Sequence, residues 1–239
     1  MEHELSSYSL NKSTIEERAQ NLSYIRMVYL LTALEMVLSL VWTSFCLGYM
    51  EDLGKPIVHW WEFGLAASII TIILGLVAYF VSAVKRFPIN WIIYILFTLA
   101  YAHCWAFFSC WDSTRLVYFL LWLLTAIVIG FALYSLCATF YMMSHQAVMV
   151  VLGSSAVVFM GFLAFTQINF FLLLLVFVFA VIYGVFMSFN LRATVRLSVF
   201  DSENEDSVTG AIRIWIETEL NFFRLGELVG KMFVTSRTA

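Results

Sequence analysis

Six long apolar stretches, separated by short polar segments, dominate the pattern of hydrophobic and polar positions along the chain. They cover residues 27–49, 61–84, 89–108, 116–142, 147–165 and 170–189. A helix needs about 20 apolar residues to cross about 30 Å of hydrocarbon, so each stretch predicts a membrane-spanning helix. Several connections hold only a few residues, and short connections place consecutive helices antiparallel. We therefore predict an all-α polytopic membrane protein whose helices form one bundle.

A seventh segment, residues 208–232, is about half apolar but interrupted by charge. The charged side chains include Arg213, Glu217, Glu219, Arg224 and Glu227. Each charge at mid-membrane costs about 2.5–3.5 kcal/mol, whereas each Leu, Ile or Phe returns only about 0.3–0.6 kcal/mol. The segment should therefore cross inside the bundle, dip in and return, or lie at the interface. The prediction is a seven-helix bundle of six clear spans plus a polar seventh segment, re-entrant or half-buried.

The distribution of basic residues predicts the orientation, because cytosolic loops are enriched in Lys and Arg. With a cytosolic N-terminus, seven basic residues fall inside and two fall outside. The inner set is Lys12, Arg18, Arg26, Lys85, Arg86, Arg192 and Arg196, and the outer set is Lys55 and Arg115. The predicted organisation is a cytosolic polar tail (1–25), one transmembrane bundle (26–232) and a short C-terminal tail (233–239).

Composition agrees with a lipid environment and excludes several functional classes. Hydrophobic residues make up 62% and charged residues 12% of the 239 positions, against roughly 45–50% and 25% in soluble domains. A net charge of −3 without a long basic run argues against nucleic-acid binding. No catalytic motif is recognisable, so we expect neither an enzyme nor a cofactor.

The four cysteines form no CxxC pair and hence no metal-binding or redox motif. We expect them to be small buried residues. A bridge between Cys46 and Cys110 is possible only if both helix ends face an oxidising lumen.

Two groups of polar residues are candidates for function. Residues three or four apart share a helix face, so Arg213, Glu217, Asn221 and Arg224 form one stripe. The stripe is either the wall of an ion pathway or a self-paired ladder on a cytosolic amphipathic helix. Glu219 falls on another side, where it would face headgroups.

Glu35 is a lone carboxyl within the first apolar stretch. An intramembrane carboxyl points to function, or to a protonated or hydrogen-bonded bridge between two helices. The sequence leaves both interpretations open.

Several short segments carry a family resemblance through their order and spacing. They are YIRMVY (24–29), KRFPIN (85–90) with LFTLA (96–100), ALYSL (132–136), EDSVTGAIRIWIE (205–217) and Gly230. Together these segments resemble the transmembrane BAX inhibitor motif family, especially its Lifeguard branch. The resemblance covers nearly the whole chain, from about residue 25 to residue 230. It implies six helices around, or closed by, a polar seventh, with residence in the endoplasmic reticulum or Golgi.

The resemblance also implies a calcium leak that restrains apoptosis, gated by a carboxylate on the sixth helix facing one on the last helix. Glu217 matches the last-helix acid, but Asn190 stands at the sixth-helix position. An amide cannot titrate, so we expect weakened pH gating. Glu35 is a candidate for the second acid.

These departures suit a divergent, cytomegalovirus-type viral member. The first functional hypothesis is a calcium or cation leak with pathway residues Glu217, Asn190, Arg213, Asn221, Arg224 and Glu35. Its partners would be the lipid bilayer and calcium ions. The alternative is a non-conducting adaptor, viral in origin, that binds host membrane proteins and modulates cell death, adhesion or immune recognition. The sequence does not specify the oligomeric state.

Overall fold

Long helices make up the architecture of the chain. The computed structural model describes the backbone of residues 2–53, 61–81, 86–112, 115–137, 144–198 and 206–220. Its side chains are described for 22–49, 62–81, 86–112, 115–137, 145–190 and 206–220. The helices are α1 (Glu2–Leu53), α2 (Trp61–Phe80), α3 (Ile89–Trp111), α4 (Leu116–Cys137), α5 (Ser144–Phe165), α6 (Phe170–Ser198) and α7, whose described part covers 207–220. The predicted all-helical class is confirmed.

Six of these helices contain apolar stretches long enough to cross a membrane. The stretches are Leu22–Tyr49, Glu62–Phe80, Ile89–Trp111, Leu116–Cys137, His145–Phe165 and Phe170–Asn190. Large apolar side chains such as Val157, Phe171 and Leu175 are strongly exposed on the outside of the bundle. Such a surface is stable only where lipid covers it. The six apolar helices therefore fit an integral multi-pass membrane protein.

The helices pack around α4, which contacts α1, α3, α5 and α6. Helix α1 packs against α3 and α4, α2 packs on the other side of α3, and α4 packs against α5 and α6. Antiparallel packing brings the starts of the apolar stretches of α1 and α3 together with the ends of those of α2 and α6. We call this the near end of the bundle, and the opposite end, where α1 and α3 finish, the far end.

Helix α7 inserts into the near end. Its apolar residues Val208, Ala211, Ile212, Ile214 and Trp215 are buried. A side chain at Gly210 would collide with Tyr24 of α1, so the two helices approach closely there. The described part of α7 packs inside the bundle by its apolar face. This position agrees with both the crossing and the re-entrant placement open from the sequence. The remainder of the predicted segment, 221–232, lies outside the described residues.

Asp206 fixes the start of α7. Its backbone carbonyl accepts a hydrogen bond from the Gly210 amide at 3.0 Å, and its carboxylate accepts one from Asn90 at the start of α3. This contact ties the near ends of α3 and α7 together.

The cysteines differ from the expectation that all four are buried. Cys46 is buried, Cys104 and Cys110 are partly buried, and Cys137 is exposed at the end of α4. All four are free thiols in this structure. Cys46 and Cys110 belong to one small cluster with Ala106 and Phe107 at the far end.

We expect mild oxidation of the membrane-embedded protein to join Cys46 to Cys110, since the two thiols share this cluster. Proteolysis and mass spectrometry of the non-reduced protein would identify the linked peptides. Cys104 is the matched control on the same helix, because its sulfur lies 3.2 Å from the Ser68 hydroxyl of α2 instead. A Cys46–Cys104 link in place of Cys46–Cys110 would contradict the packing of α1 on α3.

Candidate functional site

Glu35 lies midway along the apolar stretch of α1 and is completely buried. The indole nitrogen of Trp215 on α7 donates a hydrogen bond to its Oε2 atom at 3.3 Å. Its Oε1 atom is buried and has no hydrogen-bond partner among the described residues. A distance of 3.3 Å is long for an N–H···O bond. The carboxyl group is therefore only partly satisfied by protein.

Aromatic rings from three helices surround the Trp215 end of this contact. The Trp215 ring centroid lies 5.5 Å from that of Tyr101 on α3 and 6.3 Å from that of Tyr183 on α6. We call Glu35, Tyr101, Tyr183 and Trp215 the central cluster. It joins α1, α3, α6 and α7 around one carboxyl group. Of the two sequence interpretations of Glu35, the structure contains the hydrogen-bonded bridge between helices, with one oxygen atom left over.

Two hydroxyl side chains continue from Glu35 along α1 towards the far end. Ser39 and Thr43 follow at successive four-residue steps, so they occupy the same helix face. Both are completely buried, and neither hydroxyl has a hydrogen-bond partner among the described residues. We call Glu35, Ser39 and Thr43 the Glu35 face. It is a continuous line of oxygen atoms inside an apolar bundle.

Glu217 occupies a less central position than the sequence suggests. Its carboxylate lies 3.4 Å from the Arg213 guanidinium one turn earlier, and both side chains are partly exposed. The same guanidinium sits 5.1 Å from the centre of the Tyr79 ring. This arrangement matches the self-paired interpretation of the stripe as far as α7 is described. The other two stripe residues, Asn221 and Arg224, lie outside the described residues.

Asn190 brings α6 and α7 together, as the resemblance implies, but through a different residue. Its side-chain amide is buried and donates to the Thr218 hydroxyl at 3.2 Å. That hydroxyl donates in turn to the Ile214 carbonyl at 2.6 Å. On α7 this contact is therefore made by Thr218, the residue that follows Glu217. It is a neutral polar contact between two helices.

Glu219 lies away from the stripe, as the sequence predicts, but its proximity to the central cluster was not predicted. It lies one turn beyond Trp215, and its carboxyl group is near enough to Glu35 for an electrostatic interaction. It is nevertheless exposed, so it stands between the central cluster and the outside of the protein. The four-residue spacing from Trp215 was the available signal. Its meaning depended on knowing which face of α7 turns inward.

Comparison with family models, with curated protein sequences and with solved structures finds no match to this chain. The site therefore has to be interpreted from its own chemistry.

Proposed function

We propose that this protein is a cation leak of an intracellular membrane, with calcium as the permeating ion and restraint of apoptosis as its consequence. The observation that supports the proposal is Glu35, a completely buried carboxyl with one unpartnered oxygen atom. The resemblance to the BAX inhibitor motif family supplies the choice of ion, of endoplasmic reticulum or Golgi membranes, and of cellular role.

A carboxyl group in this position requires compensation. Acidic side chains inside a membrane are costly, and they are retained where they line pathways for ions or protons. The single long bond from Trp215 leaves Oε1 of Glu35 available. Calcium binds oxygen ligands, including carboxylates and water molecules. Glu35 is therefore a suitable transient ligand for a cation that passes through the bundle.

Helix α7 acts as the closure in this proposal. It fills the near end, where Gly210 fits against Tyr24 and Trp215 covers one oxygen of Glu35. Passage past Glu35 therefore needs a displacement of α7. The Arg213–Glu217 pair and its contact with Tyr79 hold α7 against α2, which favours the closed arrangement.

The decisive experiment is calcium flux from vesicles reconstituted with the purified full-length protein. We expect efflux above that of vesicles prepared without protein. Efflux equal to the protein-free background, in preparations that are folded by size-exclusion chromatography, would reject the leak. Stable recovery of a second membrane protein in mild detergent, together with background flux, would support the adaptor instead.

The adaptor remains the second candidate because Arg213 and Glu217 balance each other's charge on α7. This ion pair needs no bound cation to neutralise the Glu217 carboxylate. In that proposal the protein is a non-conducting membrane adaptor, viral in origin, and its partners are host membrane proteins.

Replacement of Asn190 by aspartate is expected to make the leak more dependent on pH. The new carboxyl would be buried beside the Thr218 hydroxyl of α7. Burial disfavours the charged form of a carboxyl group and moves its titration towards neutral pH. Flux between about pH 6 and 8 should change more steeply in the Asn190→Asp variant than in the wild type. Identical pH profiles would contradict the assignment of position 190 to the gate.

A further inference from the structure

The Glu35 face contains three buried polar atoms that no described residue satisfies. They are Oε1 of Glu35, Oγ of Ser39 and Oγ1 of Thr43, on consecutive turns of α1. An unsatisfied buried polar group costs about 1–3 kcal/mol, so most buried polar groups are paired with protein or water. Three such atoms in a row point to a shared occupant.

Hydroxyls elsewhere in the bundle, such as those of Thr71, Thr125 and Thr218, show that pairing with the preceding turn is the ordinary outcome. The Thr32 hydroxyl donates to the Val28 carbonyl, and the Ser44 hydroxyl donates to the Leu40 carbonyl, each at 2.7 Å. Such bonds to the preceding turn are available to any helical Ser or Thr. Ser39 and Thr43 are exceptions within the helix that contains Thr32 and Ser44. Their hydroxyl groups are therefore free for another partner.

A further unpartnered hydroxyl lies on the neighbouring helix α3 near the far end. Ser109 of α3 is buried, and its Oγ has no partner among the described residues. The cluster of Cys46 with Ala106 and Phe107 fixes the relative heights of the two helices. Ser109 and Thr43 therefore lie at similar depths, each within one turn of that cluster. Near the far end, unpartnered hydroxyls are therefore contributed by two helices, α1 and α3.

We infer that water enters the bundle from the far end and reaches Glu35 along Thr43 and Ser39. Ser109 lies beside the entrance of this route. A buried water molecule needs two to four polar partners, which this line of oxygen atoms provides. Entry from the near end is blocked by α7, whose Gly210 and Trp215 are in contact with α1. The inference deepens the proposed function, on which it rests for its purpose, by naming the route to Glu35.

Cysteine substitution with a charged thiol reagent tests the route. The starting protein is the full chain with Cys46, Cys104, Cys110 and Cys137 replaced by serine, and single cysteines are then introduced at positions 39, 43 and 41. Val41 is the matched control, because it lies on the same helix with 61% of its side chain exposed on the lipid-facing surface. The probe is a trimethylammonium-ethyl methanethiosulfonate, which the thiolate attacks to form a mixed disulfide with release of methanesulfinate.

The reagent requires a thiolate, which forms only where water reaches the sulfur. We expect Thr43→Cys to react fastest, Ser39→Cys next, and both at least about tenfold faster than Val41→Cys. Equal, slow rates at all three positions in folded protein would overturn the route. Rapid labelling without calcium flux would uphold the route and reject the leak, whereas flux with uniformly slow labelling would reject the route alone.

A fourth single-cysteine variant, at position 44, controls for misfolding of the substituted protein. Ser44→Cys lies one residue from Thr43, but its native hydroxyl already bonds the Leu40 carbonyl and the Tyr118 hydroxyl. Labelling at position 43 that exceeds labelling at position 44 supports a route confined to the Glu35 face. Equal rapid labelling at positions 41, 43 and 44 would indicate a loosened helix and would overturn the inference.

Discussion

Glutamine in place of Glu35 is expected to reduce cation efflux by about tenfold, which corresponds to about 1.4 kcal/mol in the barrier. The substitution removes the one carboxylate at the middle of the α1 stretch while preserving an oxygen acceptor for the Trp215 indole. A cation passing the centre of the bundle then loses the one ionisable ligand of the Glu35 face. Fluorescence-monitored calcium efflux from reconstituted vesicles measures the effect.

Glu217→Gln is the matched comparison, since it also neutralises one acid within the polar part of the protein. Its partner Arg213 is partly exposed, and exposed ion pairs contribute only about 0–1 kcal/mol. We therefore expect a change in efflux of about fivefold at most. Should Glu217→Gln abolish flux while Glu35→Gln leaves it intact, the pathway would follow the stripe on α7 and not the Glu35 face.

Alanine in place of Trp215 is expected to lower the free energy of unfolding by about 3–5 kcal/mol, the range observed when a large buried aromatic side chain is truncated. Trp215 is the largest fully buried side chain in the described part of the chain. Its removal leaves a cavity between Tyr101 and Tyr183 and deprives Glu35 of its hydrogen-bond donor. Denaturant titration in mixed micelles would measure the loss.

Two controls separate packing from hydrogen bonding at this position. Trp215→Phe retains most of the ring but removes the indole N–H, so we expect a loss of about 1–3 kcal/mol from the unpaired carboxyl. Trp111→Ala removes an indole of which 63% is exposed at the end of α3, and its effect should stay within about 0.5 kcal/mol. Equal losses for Trp215→Ala and Trp111→Ala would show that α7 does not pack inside the bundle.

The six spans were predictable because the membrane imposes a length and a composition on each one. The predicted stretch 89–108 lies within α3 (Ile89–Trp111), and the stretch 170–189 lies within α6 (Phe170–Ser198). The energetic cost of charged groups in lipid also distinguished the seventh segment from the six apolar spans. These inferences depend on the solvent alone, so neither needed a partner residue to be known.

The sequence by itself determined which segments enter the membrane and which ionisable groups are exceptional there, since both follow from local hydropathy. Only the tertiary structure decided which of those groups meet. Glu35 meets Trp215, 180 positions later in the chain, and the exposed Glu219 lies near enough to Glu35 for an electrostatic interaction. Helical periodicity fixes which residues share a face. The direction of that face is set by the packing of α7 among α1, α2, α3 and α6, which no local pattern contains.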